Sequence, residues 1–200
     1  NKDKIDIIKD GKNMSYRGKA LMLGNPGVGK TSLLTQYVDG KFFENYKQTV
    51  GANFYIKEVD LTHIIEKIKS EGNIKEKLKE GGFRIYWWDI GGQSDKLFVT
   101  EYYFVQAVGA IVVFDVTNEE TFNNLEFWIT KLKDLSGNVP FIIIGNKVDL
   151  ENKRKVSFEE GKRKAEDSGV EYIETSAKDN KNVELAFELL SIQILNNMKP

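Results

Sequence analysis

The sequence contains no cysteine, which excludes disulfides and thiolate metal sites. No apolar run approaches the roughly 20 residues that a membrane-spanning helix needs. The first residues lack the basic, apolar and small segments of a secretory signal. Charge of one sign is also missing: 29 Lys and Arg face 30 Asp and Glu, a formal net charge of -1. That balance gives no electrostatic footprint for nucleic acid, so no nucleic-acid partner is expected. The single histidine, His63, reads as solvent-facing rather than as a ligand. Together these absences read as a soluble, intracellular, cytoplasmic chain.

What is present suits one compact domain, with 40% hydrophobic residues over 200 positions. Residues 1–17 are polar and mixed in charge, and read as a loosely held leader. Ala20-Leu21-Met22-Leu23 is a short apolar run ended by Gly24, and a helix-forming stretch begins near Lys30. Phe54 to Val59 alternates like a strand with one wet face, and Phe83 to Trp88 is a second aromatic, β-prone run. Ala110 to Phe114 and Phe141 to Ile144 are continuous apolar runs, as in strands buried on both faces. Leu125, Trp128, Ile129 and Leu132 recur at helical spacing, and Ser157 to Glu160 has capping-box spacing. Glu171 to Ile173 is a last short strand, and an apolar stripe from Val183 to Ile194 forms the terminal helix. Strands alternating with helices predict a mostly parallel sheet covered on both faces.

Gly24-Asn25-Pro26-Gly27-Val28-Gly29-Lys30-Thr31 matches the phosphate-loop pattern in full, and it joins an apolar strand to a helix as that loop requires. Its glycines let successive N–H groups converge on phosphate oxygens, and the following helix N-terminus adds partial positive charge. Pro26 has no N–H, so donation rests on Gly27, Val28, Gly29, Lys30, Thr31 and Ser32. Lys30 is expected to reach the β- and γ-phosphates and the Thr31 hydroxyl to ligate Mg²⁺. The loop alone does not select a nucleotide.

Selection is read at the other end of the chain. Asn146-Lys147-Val148-Asp149 follows the second buried run. The Asp149 carboxylate can accept from both the N1–H and the exocyclic amine of guanine, neither of which adenine offers; such pairing discriminates strongly. Asn146 is expected to bind the base edge and brace the loop, and the Lys147 stem to cover the ring. Ser176-Ala177-Lys178 follows the last strand; there the Ala177 N–H suits guanine O6 and the Lys178 stem flanks the base. A nucleotide kinase would need no such motif.

From about Gly18 to Asn197 the chain resembles the Ras superfamily of small GTPases, most closely the Rab branch, on Gly24–Thr31, Thr49, Trp88–Gln93, Asn146–Asp149 and Ser176–Lys178. The resemblance implies an α/β fold, a small G domain of the P-loop NTPase type over residues 18–200. Its six-stranded, mostly parallel sheet carries helices on both faces and one antiparallel edge pair. The implied function is a switch that binds GTP or GDP with Mg²⁺, hydrolyses GTP slowly and recruits effectors in the GTP state, in membrane traffic. Thr49, 18 residues after Thr31, falls at the position of the first-switch threonine that closes on Mg²⁺ and the γ-phosphate. Phe42 matches the ring packed on the base, and Tyr46 one that covers the phosphates. Asp89 matches the residue holding Mg²⁺ through water, the Gly92 N–H a γ-phosphate donor, and Gln93 the residue orienting the attacking water. With Lys30 and Thr49, Gln93 forms the implied catalytic set.

Partners implied by the resemblance are effectors, an exchange factor and a GTPase-activating protein, contacting residues 42–51 and 91–103. The sequence departs from the family at Pro26, at Gly91 where Rab proteins have alanine, and at Ser94 where glutamate is usual. No arginine lies between Phe42 and Thr49, so slow intrinsic turnover and partner stimulation are expected. The alternative is a pseudo-GTPase scaffold with little turnover. The interval from Phe54 to Trp88 is about twice that of a Rab interswitch hairpin. Its insertion, about 61–82, reads as a partly helical, solvated tip, with an extra docking surface as the alternative. Asn197-Met198-Lys199-Pro200 offers no cysteine for prenylation, so peripheral membrane association stays open.

Overall fold

The computed structural model describes residues 6–10, 13–44, 49–69, 74–91 and 101–198. Among them seven strands form one sheet: β1 (Asp6–Asp10), β2 (Asn13–Leu23), β3 (Ala52–Glu58), β4 (Phe83–Ile90), β5 (Ala107–Asp115), β6 (Phe141–Asn146) and β7 (Tyr172–Thr175). Six of them run in the order β3-β4-β2-β5-β6-β7. The pairs β2–β4, β2–β5, β5–β6 and β6–β7 are parallel, and β3–β4 is the antiparallel edge pair. The α/β architecture therefore agrees with the small G domain read from the sequence.

The seventh strand departs from the expected leader. β1 pairs antiparallel with the first residues of β2, from Asp6 opposite Arg17 to Asp10 opposite Asn13. Tyr16 and Arg17 already pair with β4 on one side. The hairpin therefore lies on the edge of β2 that β5 occupies further along.

Among the described residues six α-helices cover the sheet: α1 (Lys30–Asp39), α2 (Ile74–Gly81), α3 (Glu119–Asn123), α4 (Leu125–Ser136), α5 (Phe158–Ser168) and α6 (Val183–Asn196). Their placement follows from strand alternation, because successive side chains point to opposite faces. Ala20 and Met22 of β2 join Leu33, Leu34, Tyr37, Phe187 and Leu190 on one face. Leu21 and Leu23 join Leu125, Trp128, Leu132 and Ala165 on the other. Every residue of β5 and of β6 is buried, as continuous apolar runs require of strands covered twice. The capping box at Ser157 opens α5, with Glu160 N donating to Ser157 Oγ and Ser157 N to Glu160 Oε2.

The interswitch insertion is not a solvated tip. Glu58 pairs with Arg84, and Val59 N donates to Phe83 O at 2.8 Å, closing its neck. Beyond the neck the chain folds back through a 3₁₀ turn at Ile65–Lys67 and through α2. Ile64, Ile65, Ile68, Ile74 and Leu78 are buried in the same core as Tyr16, Phe83 and Phe187. Polar bonds seat it on α6: Lys67 Nζ donates to Glu188 at 2.7 Å, and Lys69 N to Asn196 Oδ1 at 2.6 Å. Ile64, Ile65 and Ile68 turn one apolar face inward. That face meets the core because the insertion has α6 and β2 beside it. His63 is exposed. Among the described residues no helix is long and apolar enough to cross a membrane.

Candidate functional site

The parallel strands end together. Met22 pairs with Asp89, Asp115 with Asn146 and Asn146 with Thr175, so the end of β4 and the loops after β2, β5, β6 and β7 open on one rim. A cavity of about 1100 Å³ lies there, lined at one end by Gly27, Lys30 and Thr31 and at the other by Lys147, Asp149 and Lys178. Ligands of open α/β sheets bind outside the carboxyl ends of the strands, as this cavity does.

Its first end is built by the loop between β2 and α1. Gly24 has φ +138°, and a Cβ there would lie 2.2 Å from Val113 O of β5. Gly29 has φ +100°, and its Cβ would lie 2.3 Å from Asn146 Nδ2. Only glycine meets both the backbone angle and the close approach at these points. The loop folds back over Lys30, whose Nζ donates to Gly24 O at 2.8 Å and Asn25 O at 2.9 Å. Lys30 is 5% exposed. Burial pushes its ammonium down to about 8, against the pull of the Asp89 carboxylate. Two of its three protons are thus committed, and the third is free to meet an anion.

Below Lys30, three oxygen-bearing side chains from separate elements converge. Thr31 Oγ1 donates to Asp89 Oδ2 at 2.5 Å and shares a 2.9 Å hydrogen bond with Thr49 Oγ1. Asp89 is fully buried, and burial raises its carboxyl above the usual range while Thr31 and Lys30 pull it back. Its Oδ1 has no hydrogen-bond partner among the described residues. A buried carboxylate oxygen left over beside two hydroxyls fits a small hard cation, which takes few protein oxygens and keeps waters or phosphate oxygens for the rest. Gly91 closes this corner: its N–H donates to Gly51 O at 2.8 Å, and a Cβ on it would sit 2.7 Å from Thr49 O. The departure from alanine at position 91 thus lets the Thr49 segment lie directly on the end of β4.

The second end is held by side chains bonded to one another. Asn146 Nδ2 donates to Val28 O at 2.9 Å and its Oδ1 accepts from Thr175 Oγ1 at 3.0 Å, tying three loops together. Both of its bonding groups are thereby engaged in bracing. Lys147 takes φ +72° and its Nζ lies 2.6 Å from Asp115 Oδ2. Ser176 Oγ donates to Asp149 Oδ1 at 2.7 Å and accepts from Asp179 N at 3.0 Å. Asp149 lines the cavity, and Ser176 engages only one of its two carboxylate oxygens.

Of the residues singled out in the sequence, Gly27, Gly29, Lys30, Thr31, Ser32, Phe42, Thr49, Asn146, Lys147, Asp149, Ala177 and Lys178 line this one cavity. Val28, Asp89 and Ser176 are buried beneath it. Tyr46, Gly92, Gln93 and Ser94 lie outside the described residues. Sequence reasoning missed Asp115 as the anchor of Lys147, although a lone carboxylate ending a fully apolar strand was a usable signal. It also missed Arg154, which forks onto Glu174 at 2.7 and 2.9 Å and braces the end of β7. Nothing in the spacing of Arg154 and Glu174 advertises that pair.

Comparison with known proteins agrees with this geometry. The Ras family model matches residues 19–196. The mouse Ras-related protein Rab-3C is 40% identical over 187 residues, 93% of this chain and 75% of the relative. The Ras-related protein RIC1 of rice is 37% identical over 184 residues, 92% and 83% of the two chains. Human Ras-related protein Rab-3A is 37% identical over 187 residues, 93% and 77%. With a phosphate loop, a hard-oxygen corner and a braced base loop on one cavity, the chain belongs to the Ras family and is a Rab-like small GTPase.

Proposed function

We propose that the chain is a molecular switch that binds GTP and GDP with Mg²⁺, hydrolyses GTP slowly and engages effectors in its GTP state, in membrane traffic. The observation that carries the reading is the single cavity joining Lys30 and Thr31 to Asp149 and Ala177. Its volume of about 1100 Å³ has room for a nucleotide laid from phosphates to base. Asp149 accepts from guanine, the Ala177 N–H donates to O6, and the stems of Lys147 and Lys178 flank the ring. Phe42 packs at the same end. The N–H groups from Gly27 to Ser32 receive the phosphates, and Lys30 turns its free proton to the terminal ones.

Thr31, Thr49 and Asp89 would hold Mg²⁺, and the bound ion would supply positive charge against the phosphates. Tyr46 covers the phosphates, the Gly92 N–H contacts the γ-phosphate, and the Gln93 amide orients the attacking water. Loss of the γ-phosphate would remove its share of the hold on the Thr49 segment, and this would release the switch.

The partner surface is supported by exposed apolar side chains beside the switches. Phe43, Val50, Phe54 and Tyr102 stand out from the surface. Phe54 meets the Trp88 ring at 5.2 Å, and Trp88 meets Tyr103 at 5.0 Å. Such a contiguous aromatic surface suits a protein partner. Effectors, an exchange factor and a GTPase-activating protein are assigned to residues 42–51 and 91–103, with the protein cytoplasmic and peripheral on membranes when engaged.

The test is single-turnover hydrolysis of GTP by the purified protein beside Gln93→Leu. The wild type should cleave slowly and the variant at least about tenfold more slowly. Equal inertness of the two, maintained with candidate activating proteins, would sink the switch and leave a nucleotide-binding scaffold.

A further inference from the structure

The indole N–H of Trp128 reaches the phosphate loop. Trp128 sits on α4, 1% exposed in the second core. Its Nε1 donates to Asn25 Oδ1 at 2.9 Å across 103 positions of sequence. Asn25 is half-buried and is not among the residues lining the cavity, so its side chain is drawn to the helix and its carbonyl is what serves the site. That carbonyl is one of the two anchors of Lys30 Nζ. Pro26 follows directly, restricting Asn25 to extended backbone and donating nothing itself.

We propose that Trp128 is a positioning residue for the terminal phosphate of the bound nucleotide, acting through Asn25 on Lys30. The indole fixes the Asn25 side chain, the fixed residue presents its carbonyl to Lys30, and the doubly anchored ammonium keeps its third proton aimed into the cavity. Because Pro26 removes an N–H from this stretch of loop, more of the grip on the outer phosphates rests on the aim of Lys30. A core tryptophan commonly needs some partner for its N–H. What separates a positioning role from that ordinary one is selectivity: losing the aim of Lys30 should weaken a triphosphate more than a diphosphate.

The inference rests on the guanine-nucleotide reading above. The experiment is stopped-flow release of fluorescent GDP and of a fluorescent non-hydrolysable GTP analogue, with Mg²⁺ present. It compares wild type, Trp128→Phe, Asn25→Ala and the double variant. Trp128→Phe keeps a ring in the core but lowers the melting temperature, whereas Asn25→Ala alters only a half-exposed loop side chain. Each single variant should release the triphosphate about fivefold faster, the worth of one ordinary hydrogen bond. GDP release should stay within about twofold, and the double variant should match the singles. The proposal is overturned if Asn25→Ala leaves triphosphate release unchanged, if GDP and triphosphate release rise equally, or if the two single effects multiply. Wild-type protein that binds no guanine nucleotide would instead sink the parent reading, and this one with it.

Discussion

At the carboxyl ends of the strands, polar side chains hold loops to one another: Asn146 joins Val28 to Thr175, Ser176 holds Asp149, and Asp115 holds Lys147. Along the flank covered by the interswitch insertion, apolar side chains do the joining, with Ile64, Ile68, Ile74 and Leu78 packed into the core of Tyr16 and Phe83. Each region brings together segments distant in sequence, but by opposite means. Hydrogen bonds fix direction and distance, so the first region can select a ligand atom by atom. Apolar burial is non-directional, so the second contributes stability and says little about chemistry.

Removing residues 62–80 should break this comparison most visibly. Five buried side chains leave with the segment, each worth about 1.5–3 kcal/mol of burial, against a typical total stability of about 5–15 kcal/mol. Tyr16 and Phe83 lose their cover as well. The expected outcome is a chain with no cooperative melting transition by circular dichroism. A folded, nucleotide-binding product would return the insertion to a dispensable surface feature. Leu78→Ala is the graded form of the same test. It should cost about 2–5 kcal/mol in chemical denaturation and leave GDP affinity unchanged once the protein is folded.

The opposite signature is expected of Asp149→Asn. Asparagine can still accept from Ser176 Oγ through its Oδ1, so the loop keeps its brace and the melting temperature should barely move. The amide N–H₂ that replaces the second oxygen no longer accepts from guanine but can donate to a xanthine carbonyl. Guanine affinity should fall at least about 10²-fold and xanthine nucleotide affinity rise, since buried pairing is lost for one base and made for the other. Competition binding with the two nucleotides reads this directly. Unchanged guanine affinity would mean that Asp149 does not face the base.

The same contrast explains what could be read in the sequence. The alternation of strands and helices was legible because each strand's burial follows its own residues, as in Ala110 to Phe114. That the glycine loop and the Asn146–Asp149 segment meet on one cavity was legible because each carries its pattern in local spacing: Lys30 follows its glycines, and Asp149 follows Asn146 and Lys147. Contacts made by tertiary approach left no such trace. Trp128 meets Asn25 over 103 positions, and Lys69 meets Asn196 over 127. The insertion was read as a solvated tip because nothing in its own residues told that α6 and β2 were close enough to bury its apolar side chains. The strand at Asp6–Asp10 was hidden for a related reason: its polar residues pair through backbone groups, which any side chain permits.

The smallest effect is expected where the insertion meets α6 through charge. Lys67 Nζ lies 2.7 Å from Glu188 Oε1, a short and well-formed pair. Yet the Lys67 side chain is 57% exposed, and water and salt screen such a pair while holding a long side chain costs entropy. The hydrophobic residues beneath it, Ile64 and Ile68, stay in place whether or not the bridge forms. Lys67→Ala should therefore lower stability by less than about 1 kcal/mol, and 1 M salt should erase even that difference. A loss approaching that of Leu78→Ala would show that the charged contact, rather than the apolar one, seats the insertion on the terminal helix. The division of labour between the two regions would then be wrong, because polar pairing would be holding the fold as well as the ligand.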